Sequence, residues 1–257
     1  MVLSGDYIYG RQDEFASPVV VEKHKLIFFL VPGVEEKTWI RLFRRMMGYR
    51  DWKKSSSQRG LVHLYDYNIS RASALMTDPN YARVVFVRDP KERISLAYTK
   101  EHIKKQCCRP PNDDPSCLSM LAPFGQFLDL VHLCDRPHWR PQGKRMEPKY
   151  FDTLNFVGHM ETIRQDAKRL LTAIGAWDRY GKTGWDTGTD NTSEIFANVS
   201  LNARQGYNFP LMAKYYGEVG VDYFYRSDYE NEKLNLTVDR SRYPLHSRVH
   251  AQAPTGR

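Results

Sequence analysis

The residues best suited to chemistry stand in one short stretch, Pro32-Gly33-Val34-Glu35-Glu36-Lys37-Thr38-Trp39. It joins a strand-length run, Lys25–Val31, to a segment with one apolar face. A loop of this kind turns its backbone amides, and the N-terminus of the helix after it, toward an anion. Gly33 and Val34 would supply amides, Lys37 an ammonium and Thr38 a hydroxyl that caps the helix. Glu35 and Glu36 are out of character, since a phosphate cradle favours small, uncharged residues. From the residues alone Lys37 reads first as a solvated partner of Glu35 or Glu36.

Two further stretches carry reactive side chains. Arg88 follows the apolar run Ala82–Val87, and from a strand end its planar fork can take a phosphate bidentately. The same arginine could instead pair with Asp89 or with a neighbouring helix. Ser95 lies two turns further on. His138, in His138-Trp139-Arg140-Pro141, is a candidate general base or a histidine packed beside Trp139; His102 and His159 are weaker candidates.

These residues need elements to hold them. Trp39, Leu42, Phe43, Met46 and Met47 recur at helical spacing, with Arg41, Arg44 and Arg45 on the other face. A short helix is expected over Ser70–Met76, closed by Asp78-Pro79. Ala82–Val87 reads as a strand covered on both faces, and Pro90 opens a helix running to about Lys105. Residues 106–125 read as an insertion. Leu154–Val157 is a third strand, followed by a helix from about Glu161 to Gly175 that bears Ile163, Ala167, Leu170, Leu171 and Ile174. Residues 178–200 read as loop and Phe209–Tyr229 as helical. Strand, loop and helix recur three times, the pattern of a parallel α/β sheet. Ligands of such sheets bind at the C-terminal ends of the strands, where Pro32–Thr38 and Arg88–Ser95 both fall. The chain divides into a polar lead-in (1–22), one α/β domain (23–237) and a basic tail (238–257) expected to be disordered.

Composition narrows the class. The 257 residues, 41% hydrophobic and 13% aromatic, suffice for one folded domain. A net charge of +8 suits a phosphorylated or polyanionic partner, or simply solubility. Basic residues are dispersed, so no nucleic-acid partner is expected. Cys107, Cys108, Cys117 and Cys134 lack zinc-site spacing and favour local disulfides; no metal site is expected. Sequons at Asn68, Asn191, Asn198 and Asn235 point to the same oxidising route. No leader or membrane-spanning run is legible in these residues.

Four blocks together carry a resemblance: Pro32–Trp39; Phe86-Val-Arg-Asp-Pro-Lys-Glu-Arg93-Ile-Ser-Leu-Ala-Tyr98; His138–Pro141; and Phe156-Val-Gly-His-Met-Glu161. In this order, and over about Lys25–Tyr229, they resemble the Golgi carbohydrate sulfotransferases of the chondroitin 4-O-sulfotransferase type, sulfotransferase family 2. The resemblance implies a P-loop-like three-layer α/β fold, a central mostly parallel sheet flanked by helices. It also implies 3′-phosphoadenosine 5′-phosphosulfate (PAPS) as donor and no metal. The first loop, Gly33 to Trp39, would take the 5′-phosphosulfate, and Arg88 with Ser95 the 3′-phosphate. His138 would act as base, and Lys37 would stand in for a family lysine expected at position 33. The acceptor would be a hydroxyl of a carbohydrate, acidic or already sulfated. Location would be the Golgi, with membrane attachment only through an anchor outside this sequence. The alternative is a catalytically inactive homologue that binds a glycan or a partner, and a weaker one is a kinase using Lys37-Thr38. This chain departs from the family in having Gly33 for lysine, Glu35 for a small residue, Glu36 for cysteine or serine, and Leu96 for the serine that Ser95 precedes.

Overall fold

The computed structural model describes residues 17–99, 124–133, 137–145, 148–185, 192–199 and 220–236. The four cysteines, His102, Asn191 and the tail lie outside them, as do residues 106–123 of the insertion and 209–219 of the aromatic segment.

Four strands form one sheet in the order β1 (Val19–Val21), β2 (Leu26–Phe29), β3 (Ala82–Val87), β4 (Phe156–His159). β2, β3 and β4 run parallel, with Phe28 beside Val84 and Val84 beside Phe156. β1 pairs antiparallel with β2. It falls in the stretch read as polar lead-in, which therefore ends in a sheet edge with all three valines buried. Every β2 residue is buried, as is β3 beyond Ala82, matching the apolar runs Leu26–Phe29 and Val84–Val87 and the helices that flank the sheet. The buried Arg83 donates to the carbonyls of Thr153 and Asp78. The architecture is the mostly parallel α/β sheet expected.

The longer helices are α1 (Glu36–Met46), α2 (Ile69–Thr77), α3 (Pro90–Thr99), α4 (Phe124–Leu133) and α6 (Ile163–Ala173); α5 (Pro148–Phe151), α7 (Val221–Phe224) and α8 (Arg226–Tyr229) are single turns. Helix α1 starts two residues before the Thr38 expected to cap it, with Glu35 as its N-cap in the left-handed region at φ 54°. The aromatic C-terminal segment read as one helix ends in α7 and α8, broken at Tyr225. Residues 178–200 are not all loop, since Trp177–Gly181 forms a π-helical turn and Ile195 and Phe196 are buried. Among the described residues no helix is long and apolar enough to cross a membrane.

Two apolar clusters result. The main one lies around the sheet, where Trp39 packs on Phe28, Phe86 and Phe196 at ring separations of 4.7, 4.5 and 4.9 Å. A second gathers Ile94, Phe127, Trp139, Val221 and Tyr225, joining α3 and α4 to the C-terminal segment. Gly158 of β4 keeps the main cluster closed, because a Cβ there would sit 2.3 Å from the Phe86 ring. That ring is fixed by Phe28, Trp39 and Phe156 and cannot swing away. Gly158→Ala is expected to lower the unfolding free energy by about 1–3 kcal/mol in urea titrations; a change within error would mean that the sheet relaxes around Phe86.

Candidate functional site

The C-terminal ends of β2 and β3 open side by side, since the two strands are adjacent and parallel. From β2 the chain enters the Pro32–Glu35 turn, where Gly33 takes φ 86°, a conformation open to glycine at little cost. Gly33 N–H donates to Glu36 Oε2 at 3.0 Å, and the Thr38 hydroxyl donates to Glu35 Oε2 at 2.8 Å. The helix N-terminus favours both carboxylates there. Glu35 carries a left-handed backbone that costs a non-glycine residue about 1–2 kcal/mol, a physical reason for a small residue at this position. Lys37 is exposed.

Arg88 leaves β3 beside this loop and is 5% exposed. Its Nη1 donates to Gly33 O, and its Nε and Nη2 to Glu92 Oε2, each at 3.3 Å. The sequence reading left Arg88 open between a phosphate and an ion pair; in this conformation it pairs, within helix α3 and not with Asp89.

Three residues assigned to the donor have buried side chains in this conformation. Trp39 and Val34 are each 1% exposed and Ser95 is 0% exposed, so their side chains do not form an open ligand surface. The Val34 amide is also taken, by Val31 O at 3.2 Å. Trp39 follows the apolar stripe of α1 into the core, and Ser95 sits between Ile94 and Leu96 on a helix covered by the second cluster. His159, the weaker base candidate, places Nε2 3.0 Å from Leu234 O and ties β4 to the C-terminal segment.

Arg93, which the sequence reading passed over, organises the site. It is fully buried, yet Nε donates to Pro32 O at 2.9 Å, Nη1 to Arg140 O at 2.8 Å and Nη2 to Pro137 O at 2.7 Å. One guanidinium thus spans the first loop and both carbonyls that flank His138-Trp139. His138 is half-buried, in the turn so held. Burial pushes the Arg93 guanidinium below its ordinary value, opposed by Tyr225 and Asp228, and an arginine in a protein stays charged.

The clamp closes into a ring. The Gln142 side chain accepts from Arg88 N–H at 2.9 Å and donates to Arg88 O at 2.8 Å. Asp228 accepts from the Gln142 and Gly143 amides at 2.9 and 2.6 Å, and the Tyr225 hydroxyl donates to Trp139 O at 2.6 Å. Burial raises the Asp228 carboxyl despite these bonds. Lys91 meets Asp222 at 2.9 Å and ties α3 to α7.

At the ends of β3 and β4 three carboxylates approach. Asp89 caps α3 through Lys91 N–H at 2.8 Å, and its own amide donates to Glu161 Oε1 at 3.1 Å. Burial, assisted by the Glu92 and Glu161 charges, pushes the Asp89 carboxyl up to about 6. No cluster of metal-binding side chains is found among the described residues.

With this geometry in place, comparison with known proteins is informative. A family model described as "Sulfotransferase family" matches residues 18–215. Human "Carbohydrate sulfotransferase 9" is similar at 25% identity over 180 residues, covering 61% of this chain and 40% of that protein. The chain therefore spans about two fifths of the length of this curated relative. No solved structure matches significantly.

Arg93→Met would remove the guanidinium's bonds to three carbonyls, one buried and two partly buried, and is expected to cost on the order of 3 kcal/mol of stability. Arg93→Lys, which keeps the charge but lacks the fork, should recover less than half of that in urea titrations. Full recovery by lysine would show that charge alone matters. A second expectation concerns pH. The folded chain holds the Asp89 proton up to about 6, whereas an unfolded aspartate releases it near ~4. The stability this group contributes is present below ~4 and is lost as pH rises through that window. Asp89→Asn keeps the cap and removes the titration, so it should gain roughly 2 kcal/mol relative to the wild type between pH 4 and 6.5. A difference independent of pH would contradict the buried placement of this carboxyl.

Proposed function

Because this chain belongs to the sulfotransferase family, we propose that it transfers a sulfuryl group from PAPS to a hydroxyl of a carbohydrate. The single observation that carries this reading is the Arg93 clamp, which supports an arrangement of donor loop and His138 turn side by side.

The fit of a phosphosulfate donor is supported by Gly33, whose N–H already donates to an anionic oxygen, and by Arg88, one hydrogen bond from the same residue's carbonyl. When bound, PAPS supplies an activated sulfuryl group. The Gly33 amide and Thr38 hydroxyl would hold its 5′ end, and the exposed Lys37 ammonium would neutralise charge gathering there, an electrostatic contribution of about 3 kcal/mol in comparable sites. Arg88 would turn from Glu92 to hold the 3′-phosphate bidentately. His138 would accept the proton of the acceptor hydroxyl, a task suited to an imidazole near neutral pH.

For the acceptor we favour an acidic or already sulfated glycan of the chondroitin type. The net charge of +8 suits such a polymer. A Golgi location goes with this acceptor, and the exposed sequon asparagines Asn68, Asn198 and Asn235 accord with it.

The test is a thermal-shift titration with 3′-phosphoadenosine 5′-phosphate (PAP) and, separately, ATP. PAP is expected to raise Tm and ATP not, and Arg88→Ala should abolish the PAP shift. A shift with ATP alone, or an undiminished PAP shift in Arg88→Ala, would overturn the assignment.

A further inference from the structure

We infer that Glu36 is a specificity-determining residue of the donor loop: its carboxylate occupies the place of the donor's 5′ anion and must be displaced before that anion binds. The inference rests on the donor reading above and adds to it a residue peculiar to this chain, which has glutamate at the position where the resembling enzymes have cysteine or serine.

The geometry is direct. Gly33, held at φ 86° by the turn, presents its N–H to the mouth of α1, and Glu36 Oε2 takes it at 3.0 Å. Glu36 is the first residue of that helix, so its carboxylate folds back over the helix N-terminus, where a negative charge is favoured. Glu35 repeats the arrangement one residue earlier on the Thr38 hydroxyl. Arg88, the cation assigned to the other end of the donor, faces Glu92. Each of these three groups therefore already meets a carboxylate of the chain before any ligand arrives.

The consequence is specific to one end of the nucleotide. A ligand with a 5′-phosphate must displace Glu36, whereas a 3′-phosphate alone does not contend with it. Glu36 thus sets how much the 5′ group adds to affinity, and so the preference for PAP over adenosine 3′-monophosphate. Charge repulsion alone would give a different pattern, because Glu35 carries the same charge at nearly the same place.

Isothermal titration of PAP and adenosine 3′-monophosphate against the wild type, Glu36→Ala, Glu35→Gln and Arg88→Ala separates these cases. Glu36→Ala is expected to bind PAP about tenfold more tightly, with adenosine 3′-monophosphate changed less than about threefold. Glu35→Gln, which loses the charge but can still accept from Thr38, should stay within about threefold of the wild type for both ligands. An unchanged or weaker PAP affinity in Glu36→Ala, or an equal gain in Glu35→Gln, overturns the inference. If Arg88→Ala still loses PAP in that event, the donor reading stands without it. Absence of PAP binding in every variant overturns both.

Discussion

The arrangement at the sheet's C-terminal edge depends on one buried cation. Arg93 lies in α3, and its guanidinium draws together carbonyls at positions 32, 137 and 140. Burying an unpaired charge costs several kcal/mol. Three charge-assisted hydrogen bonds offset this, each worth about 1.5–3 kcal/mol, and Asp228 lies close enough to favour the charged form. A lysine could not serve three divergent acceptors, because its ammonium is a point charge on a flexible stem. A Cβ at Gly33 would only touch the Arg93 stem at 3.4 Å, an ordinary contact, so it is the φ of 86° that favours glycine there.

From the clamp the hydrogen bonds run on through Gln142 to Arg88 and back to Gly33 O, so the Pro32–Glu35 turn, the end of β3 and the His138 turn form one unit. The C-terminal segment closes it, since Asp228 and Tyr225 hold the 139–143 backbone from outside. Backbone groups of all three segments are tied by these bonds, while the side chains of Glu35, Glu36, Lys37 and Arg88 stand around the first turn.

What was legible in the sequence follows from the range of the forces involved. β3 is a β-branched, mostly apolar run between a turn and a proline, and its limits agree with the reading at both ends. The apolar stripes of α1 and α6 likewise reported their own burial. β1 escaped notice because three valines after a polar stretch become a strand only through pairing with β2. Arg93 escaped because a cation on a helix ordinarily faces water, and its hydrogen-bond partners lie 44 to 61 positions away. Ser95 takes its role from the resemblance, and its full burial follows from the packing of α3, whose Ile94 and Ala97 join a cluster built partly from residues 221 and 225. The two glutamates were legible as an anomaly, while their partners, Gly33 and Thr38, required the left-handed turn at Glu35.

The central claim is that donor binding is shared between the Pro32–Thr38 loop and the Arg88 strand end. Hydrogen–deuterium exchange with and without saturating PAP tests it most directly, because it reads both segments at once without requiring an acceptor. The account predicts slowed exchange in peptides covering residues 32–39 and 88–95 together, with the N-terminal edge of the sheet unchanged. Protection confined to other segments, or none in either peptide when binding is saturated, would contradict it.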